Sequence, residues 1–90
     1  MNIAVTAGLG SRAETTIEGL GQRAAELEAM GFSGMWLPNA FGFDAITALA
    51  VAGSHASRIE LGTAVVPTFP RHPVVMAQQA LTAQAALGGR

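Results

Sequence analysis

Three times along this chain, a short apolar run is followed by a longer stretch with helical spacing. The apolar runs lie at residues 2–7, 33–37 and 58–66, and the helical stretches at about 16–30, 44–55 and 73–87. Strands that alternate with helices of this length are typical of βαβ units and a parallel sheet. The runs are nearly continuous in apolar residues, as expected for strands covered on both faces. We therefore predict an α/β fold with parallel strands.

Residues that favour helix ends stand at the borders of these segments. Thr15 has capping-box spacing to an acid three residues later, which predicts Thr15 as the N-cap of the first helix. Gly31 is predicted as the C-cap of that helix, because glycine enters the left-handed region without a steric penalty. Asp44 is expected as N-cap or first-turn acid of the second helix. His72 is expected to cap the third helix.

Composition excludes several classes of protein. A chain of 90 residues is one small domain or a piece of a larger one. A net charge of −1, with no Lys, argues against a nucleic-acid partner. The absence of Cys excludes a disulfide framework and a thiolate metal site. No apolar segment has the length of a membrane span, and the N-terminus lacks the basic start of a secretory signal. We expect a soluble cytoplasmic protein that does not bind membranes.

Charged side chains are missing from the second and third helical stretches. None occurs at residues 45–57 or at residues 72–89. Either these Ala-rich helices simply carry few charges, or further chain or a second subunit covers them. We favour the second interpretation, because large exposed apolar patches are uncommon on monomers.

The segment after the first strand matches a dinucleotide-binding pattern in part. Gly8, Gly10 and Ala13 fit G-x-G-x-x-A between a strand and a helix. However, the second strand ends at Asn39 without the acid that would bind a ribose, and the helix starts late, near Thr15. We therefore interpret the segment as a glycine turn.

Several polar or aromatic residues lie at or beyond the C-terminal ends of predicted strands, where parallel α/β folds build their sites. Asn39 either hydrogen-bonds a ligand or shapes the turn after the second strand. Thr63 either bonds a ligand or caps its own strand, and Arg71 could meet an anion. Phe41 lies at the same edge. No nucleophile–base–acid triad, carboxylate pair or metal-ligand cluster accompanies them, so we predict no catalytic residue and no metal.

Five motifs follow one another in order: G-F-S-G-M-W-L-P at 31–38, D-A-I-T-A-L-A at 44–50, R-I-E-L-G-T-A-V at 58–65, R-H-P at 71–73 and G-G-R at 88–90. In this order the chain resembles the N-terminal third of the luciferase-like monooxygenases, and it is most similar to members that use the deazaflavin coenzyme F-420. The resemblance implies a TIM (β/α)8 barrel. Residues 1–90 would then be a single partial domain, an N-terminal fragment with three consecutive βα units.

The resemblance also implies a function. The parent protein would transfer a hydride between coenzyme F-420 and a small organic substrate, and 90 residues alone would be inactive. An FMN-dependent two-component monooxygenase of the same fold is the nearest alternative. Family members commonly dimerise through their second and third helices, which implies a homodimer of the parent. A hypothesis from another class is a non-catalytic βαβ module that assembles through those helices.

Candidate site residues come from the same resemblance. In the family, the residues after the second strand contact the deazaflavin ring, often as Asp-His-Phe; here residues 39–41 are Asn-Ala-Phe. Asn39 keeps the capacity to hydrogen-bond, but Ala40 cannot do acid–base work. The family often has a non-proline cis peptide behind the ring, and the matching bond here joins Ala64 to Val65. The implied cofactor-binding residues are Asn39, Thr63, Ala64 and Val65.

Overall fold

Strands and helices alternate along the chain as predicted. The computed structural model describes residues 2–7, 16–39 and 42–90. Its elements are β1 (Ala4–Thr6), α1 (Ile17–Ala29), β2 (Gly34–Leu37), α2 (Ala45–Ala52), β3 (Glu60–Thr63) and α3 (Pro73–Ala86). A 3-10 turn, Gly53–His55, follows α2 directly. The strands are shorter than the apolar runs that predict them, because apolar composition does not mark where a ladder of hydrogen bonds ends.

The three strands form one parallel sheet in the order β1-β2-β3, which confirms the α/β prediction. Met35 in the central strand stands opposite Val5 and Leu61, and Trp36 stands opposite Thr6 and Gly62. Single backbone hydrogen bonds extend the pairing beyond the strands. The amide of residue 7, for example, donates to the Trp36 carbonyl at 2.8 Å.

The helices cover one face of the sheet. Met35 and Leu37 are buried on that face, in a core shared with Leu20 and Leu27 of α1 and Leu49 of α2. The alternate residues point to the opposite face, where Trp36 is 42% exposed. Within the described part of the chain, the prediction that both faces are covered therefore holds for the helical face only.

The N-terminus of α1 is capped one residue later than predicted. The Thr16 hydroxyl accepts a hydrogen bond from the Gly19 amide at 2.9 Å, and Thr16 has the extended backbone of an N-cap. The assignment of the cap to Thr15, which lies outside the described residues, was wrong. Two adjacent threonines offer the same chemistry, and the spacing to Glu18 pointed to the wrong one of them.

The C-terminus of α1 is a Schellman motif. Met30 is the C-cap, and Gly31 follows it with φ +91, so the prediction of Gly31 as the C-cap was one residue off. The amides of Gly31 and Phe32 donate to the carbonyls of Glu28 and Leu27, both at 3.0 Å. This pair of bonds satisfies carbonyls that the end of a helix leaves without partners.

The predicted caps of the other two helices are confirmed. The Asp44 carboxylate accepts a hydrogen bond from the Thr47 amide at the start of α2, at 3.1 Å. The Nδ1 atom of His72 accepts one from the Val74 amide at the start of α3, at 3.1 Å. These side-chain acceptors satisfy amides that the first turn of a helix leaves free.

The two charge-free helices differ in how far they are covered. Five of the eight residues of α2 are buried, whereas none of the residues of α3 is buried. Val74, Val75 and Leu81 of α3 are each more than half exposed. The missing charges of α2 thus reflect burial within this chain, while α3 presents apolar side chains at the surface. No helix among the described residues has both the length and the apolar character needed to cross a bilayer.

Candidate functional site

The ends of β2 and β3 meet at the C-terminal edge of the sheet. The Asn39 amide, two residues beyond β2, donates a hydrogen bond to the Val65 carbonyl at 3.0 Å. The Ala64 amide donates to the Leu37 carbonyl at 3.1 Å. Two parallel neighbouring strands end here, and their pairing continues into the following segments. The structure therefore brings together three of the four predicted cofactor-binding residues, Asn39, Ala64 and Val65.

An apolar strip is exposed at this edge. The peptide bond between Ala64 and Val65 is cis, at the position implied by the resemblance. Val65 is 75% exposed, and Ala64 is exposed as well. Neither side chain carries a polar group, so the strip is suited to contact a flat apolar surface.

The Asn39 side chain has two different ends. Its Oδ1 atom accepts a hydrogen bond from the Ala45 amide at 2.7 Å, in the first turn of α2. A backbone amide can only donate, so this bond identifies which end of the Asn39 side chain is the oxygen. The Nδ2 atom has no hydrogen-bond partner among the described residues. Asn39 thus shapes the turn with its oxygen and retains two N–H donors for a ligand.

Thr63 lies on the helical side of the sheet. It stands opposite Leu37, whose side chain is buried against the helices, and paired residues of parallel strands share a face. Thr63 lines an open groove of about 400 Å³ between β3, α2 and α3, together with Ile46 and Met76. Its contact with a cofactor stays a prediction.

Arg71 already has an anionic partner. Its guanidinium pairs with the Asp44 carboxylate at 2.5 Å, and a second nitrogen donates to Oε1 of Gln79 at 2.7 Å. The Gln79 amide donates to the other Asp44 oxygen at 2.5 Å. The anion predicted to meet Arg71 is therefore a side chain of this protein. No sequence pattern identified Gln79, because its role depends on how α3 packs beside α2.

The environment of Asp44 favours its ionised form. Partial burial acts to raise the pKa of Asp44, but the Thr47 hydroxyl and amide and the Arg71 guanidinium all hydrogen-bond the carboxylate. Together these contacts outweigh burial and hold the pKa of Asp44 below its usual value. Asp44 is consequently an ionised structural group at this edge.

Some predicted features lie outside the described residues, namely the glycine turn at 8–13, Ala40 and Phe41. Residues 2–7, 16–39 and 42–90 contain no cluster of three or more His, Cys, Asp or Glu side chains that could hold a metal ion.

The amino-acid sequence of this chain is similar to those of known proteins. The family model of the luciferase-like monooxygenases matches residues 1–90, so the chain belongs to that family. A Mycobacterium tuberculosis protein named "Putative coenzyme F420-dependent oxidoreductase" is 41% identical to it over 66 residues. That match covers 73% of this chain and 19% of the relative.

Uncharacterized proteins of Mycobacterium bovis and Mycobacterium tuberculosis are 41% identical over 54 residues, which is 60% of this chain and 16% of each relative. The chain thus spans less than a fifth of the length of the curated relatives that it matches.

Proposed function

We propose that this chain provides the first three βα units of a TIM-barrel oxidoreductase that transfers a hydride between coenzyme F-420 and a small organic substrate. The observation that carries the proposal is the hydrogen bond from the Asn39 amide to the Val65 carbonyl, which places Asn39 beside the exposed Ala64 and Val65 at the C-terminal edge of the sheet. Family membership and the name of the M. tuberculosis relative support it. The rest of the site would come from further βα units, so we expect 90 residues alone to be inactive.

The residues at this edge fit a deazaflavin ring. Such a ring has flat faces and carbonyl oxygens along its pyrimidine edge. The exposed Ala64 and Val65 side chains suit contact with a face, and the Asn39 Nδ2 donors suit the carbonyl oxygens. When bound, the cofactor supplies the hydride chemistry. The chain's own residues bind the ring and orient it.

We assign no catalytic residue to this edge. Asp44 is ionised and hydrogen-bonded to Arg71, Gln79 and Thr47, so it does not serve as a proton donor. The side-chain amide of Asn39 can hydrogen-bond a ligand, but it cannot act as an acid or a base. The contribution of the described residues is therefore positioning, which is a large part of what a protein supplies to cofactor chemistry.

An FMN-dependent monooxygenase of the same fold is the second candidate. FMN and deazaflavin share the pyrimidine edge, so the same donors and the same apolar strip fit both rings. Two assays on the protein at its natural length separate the candidates. Anaerobic change in deazaflavin absorbance with an added substrate supports the first. Oxygen consumption that requires reduced FMN supports the second.

We also propose that the full-length parent protein forms a homodimer through α2 and α3. The exposed Val75 and Leu81 side chains and the absence of charges on α3 support this. A defined dimer with no affinity for either cofactor would instead favour the non-catalytic assembly module.

A further inference from the structure

We propose that Arg71, Asp44 and Gln79 form a positioning unit for the candidate cofactor edge, called here the Arg71 clamp. The clamp ties the segment after β2 to the segment after β3. It thereby holds Asn39 at a fixed place beside the 64–65 peptide. The inference rests on the proposed function, because the residues it holds are the proposed ring contacts.

The clamp is a closed ring of hydrogen bonds between three parts of the chain. Arg71 lies in the loop before α3, Asp44 caps α2, and Gln79 lies within α3. Arg71 donates to Asp44 at 2.5 Å and to Gln79 at 2.7 Å, and Gln79 donates back to Asp44 at 2.5 Å. Hydrogen bonds between ionised groups are shorter and stronger than those between neutral ones. The planar guanidinium presents its donors in a fixed fork, which fixes geometry as well as charge.

The clamp joins the segments after β2 and β3 at a distance from the strands, whereas a backbone hydrogen bond joins them close to the strands. At the near end, the Asn39 amide is bonded to the Val65 carbonyl. Asp44 lies five residues after Asn39, and Arg71 lies six residues after Val65, so the Asp44–Arg71 pair closes the same two loops a second time. The guanidinium also lies 3.5 Å from Oδ1 of Asn39, so the clamp contacts the proposed ligand-binding side chain directly.

The partial burial of the clamp sets it apart from an ordinary surface ion pair. The side chains of Arg71 and Asp44 are 17% and 34% exposed, whereas that of Arg58, paired with Glu28 at 3.9 Å, is 75% exposed. The Arg58 guanidinium remains in water, so its pairing with the Glu28 carboxylate, which is 13% exposed, contributes little. Arg58 therefore offers a matched control, since its replacement removes the same charge at the other edge of the sheet.

The test is amide hydrogen exchange, measured by NMR on the cofactor-free protein at its natural length. Arg71→Gln removes the ion pair with Asp44 and the charged donor to Gln79, and it leaves Asp44 in place as the α2 cap. We expect the protection of the Asn39 and Ala64 amides to fall ~10-fold, the size expected for the loss of a charge-assisted hydrogen bond. The amide of Ala7, bonded to Trp36 in the sheet, should keep its protection. Arg58→Gln should leave the protection of all three amides unchanged. Arg71→Lys should give the Asn39 and Ala64 amides a protection between those of the wild type and Arg71→Gln.

A second measurement connects the clamp to binding. The dissociation constant for coenzyme F-420, from a fluorescence titration, should rise ~10-fold in Arg71→Gln and stay unchanged in Arg58→Gln. If Arg71→Gln does not fold, Gln79→Leu removes two of the three clamp bonds and keeps the ion pair. Its expected losses are in the same direction and smaller.

Three outcomes overturn the proposal. The first is unchanged protection of Asn39 and Ala64 in Arg71→Gln. The second is an equal loss at Ala7, which would show a general loss of stability. The third is a local loss of protection with unchanged F-420 affinity. A wild-type protein that binds neither F-420 nor FMN, together with a local loss of protection, would contradict the proposed function and leave the positioning role standing.

Discussion

Gly62 determines where the indole of Trp36 lies. A Cβ atom at residue 62 would come within 2.3 Å of that ring, so the indole rests directly against the backbone of β3. A glycine at this position therefore reflects close packing on the open face of the sheet. It lies next to Thr63 and so just before the candidate cofactor edge.

Gly62→Ala should displace the indole. Real Cβ atoms do not approach a ring this closely, so the ring must move outward, and we expect a cost of about 1–3 kcal/mol in the free energy of unfolding. Trp36 is the one tryptophan and the sequence has no tyrosine, so its emission spectrum reports the change directly. Gly42→Ala is the control, because a Cβ there meets nothing within 4 Å. An emission maximum unaltered in Gly62→Ala would contradict this packing.

Side chains with a role at the candidate edge differ in how visible they are in the sequence. The position of Asn39 after a strand was enough to predict that it lies at this edge, whereas the Ala64–Val65 bond was assigned to the site by the family resemblance. Gln79 could not be found in this way, because its partners Arg71 and Asp44 lie 8 and 35 positions away along the chain and meet it only after α2 and α3 pack. The hydrogen bond from the Ala45 amide to the Asn39 side-chain oxygen also required the structure.

At the scale of elements, local chemistry defines where helices begin and end. The caps at Asp44 and His72 were predicted correctly, because a single capping residue precedes each helix. The sequence offers both Thr15 and Thr16 for the same role, and the hydrogen bond from the Gly19 amide identifies Thr16 as the cap. The sequence thus predicted that each helix forms more reliably than it predicted the residue at which the helix begins. This is expected, because the end of a helix depends on a few dihedral angles.

Thr16→Ala should destabilise α1. The substitution removes the acceptor for the Gly19 amide, which costs about 1 kcal/mol for a typical N-cap. Thr16→Ser keeps the hydroxyl and should retain most of the stability. Thr15→Ala is the matched control, and urea denaturation gives the free energy of unfolding for each variant. A larger loss in Thr15→Ala than in Thr16→Ala would restore the cap predicted from the sequence.

At the scale of the whole molecule, the Glu28 carboxylate joins the end of α1 to the start of β3. It accepts hydrogen bonds from the amides of Ser57, Arg58 and Ile59 at 3.1, 2.6 and 2.8 Å. These bonds, led by that of Arg58, lower the pKa of Glu28 from its usual 4.5 to about 2. The contact spans 29 to 31 positions in the chain, so no local pattern could reveal it.

The stability of the protein should therefore fall in acid through Glu28. A lowered folded-state pKa gives stability that is complete above pH 4.5 and is lost as the pH falls toward about 2. Glu28→Gln should lower the free energy of unfolding at neutral pH and flatten its decline in that window. Glu26→Gln, at a carboxylate that is 63% exposed, is the control. Equal pH profiles for wild type and Glu28→Gln, from urea denaturation at a series of pH values, would contradict this role.

The exposed face of α3 gives a prediction about assembly. Leu81 is 65% exposed, and Leu81→Arg would place a charge within the proposed dimer interface. We expect a shift from dimer to monomer in sedimentation equilibrium, because an unpaired charge is costly to bury. Met30→Arg, at a residue 60% exposed at the end of α1, should leave the dimer intact. A dimer that survives Leu81→Arg but not Met30→Arg would place the interface elsewhere.

The central claim is that the edge formed by Asn39 and the 64–65 peptide binds a deazaflavin or flavin ring, and Asn39→Asp tests it most directly. Aspartate keeps an oxygen acceptor for the Ala45 amide and for Arg71, but it removes the Nδ2 donors. The measurement is a titration of the protein at its natural length with coenzyme F-420 and with FMN. We predict saturable binding of F-420 by the wild type and a dissociation constant raised ~10-fold or more in Asn39→Asp, with an unchanged Tm. Equal affinity in the two proteins, or no binding of either cofactor, would contradict the account.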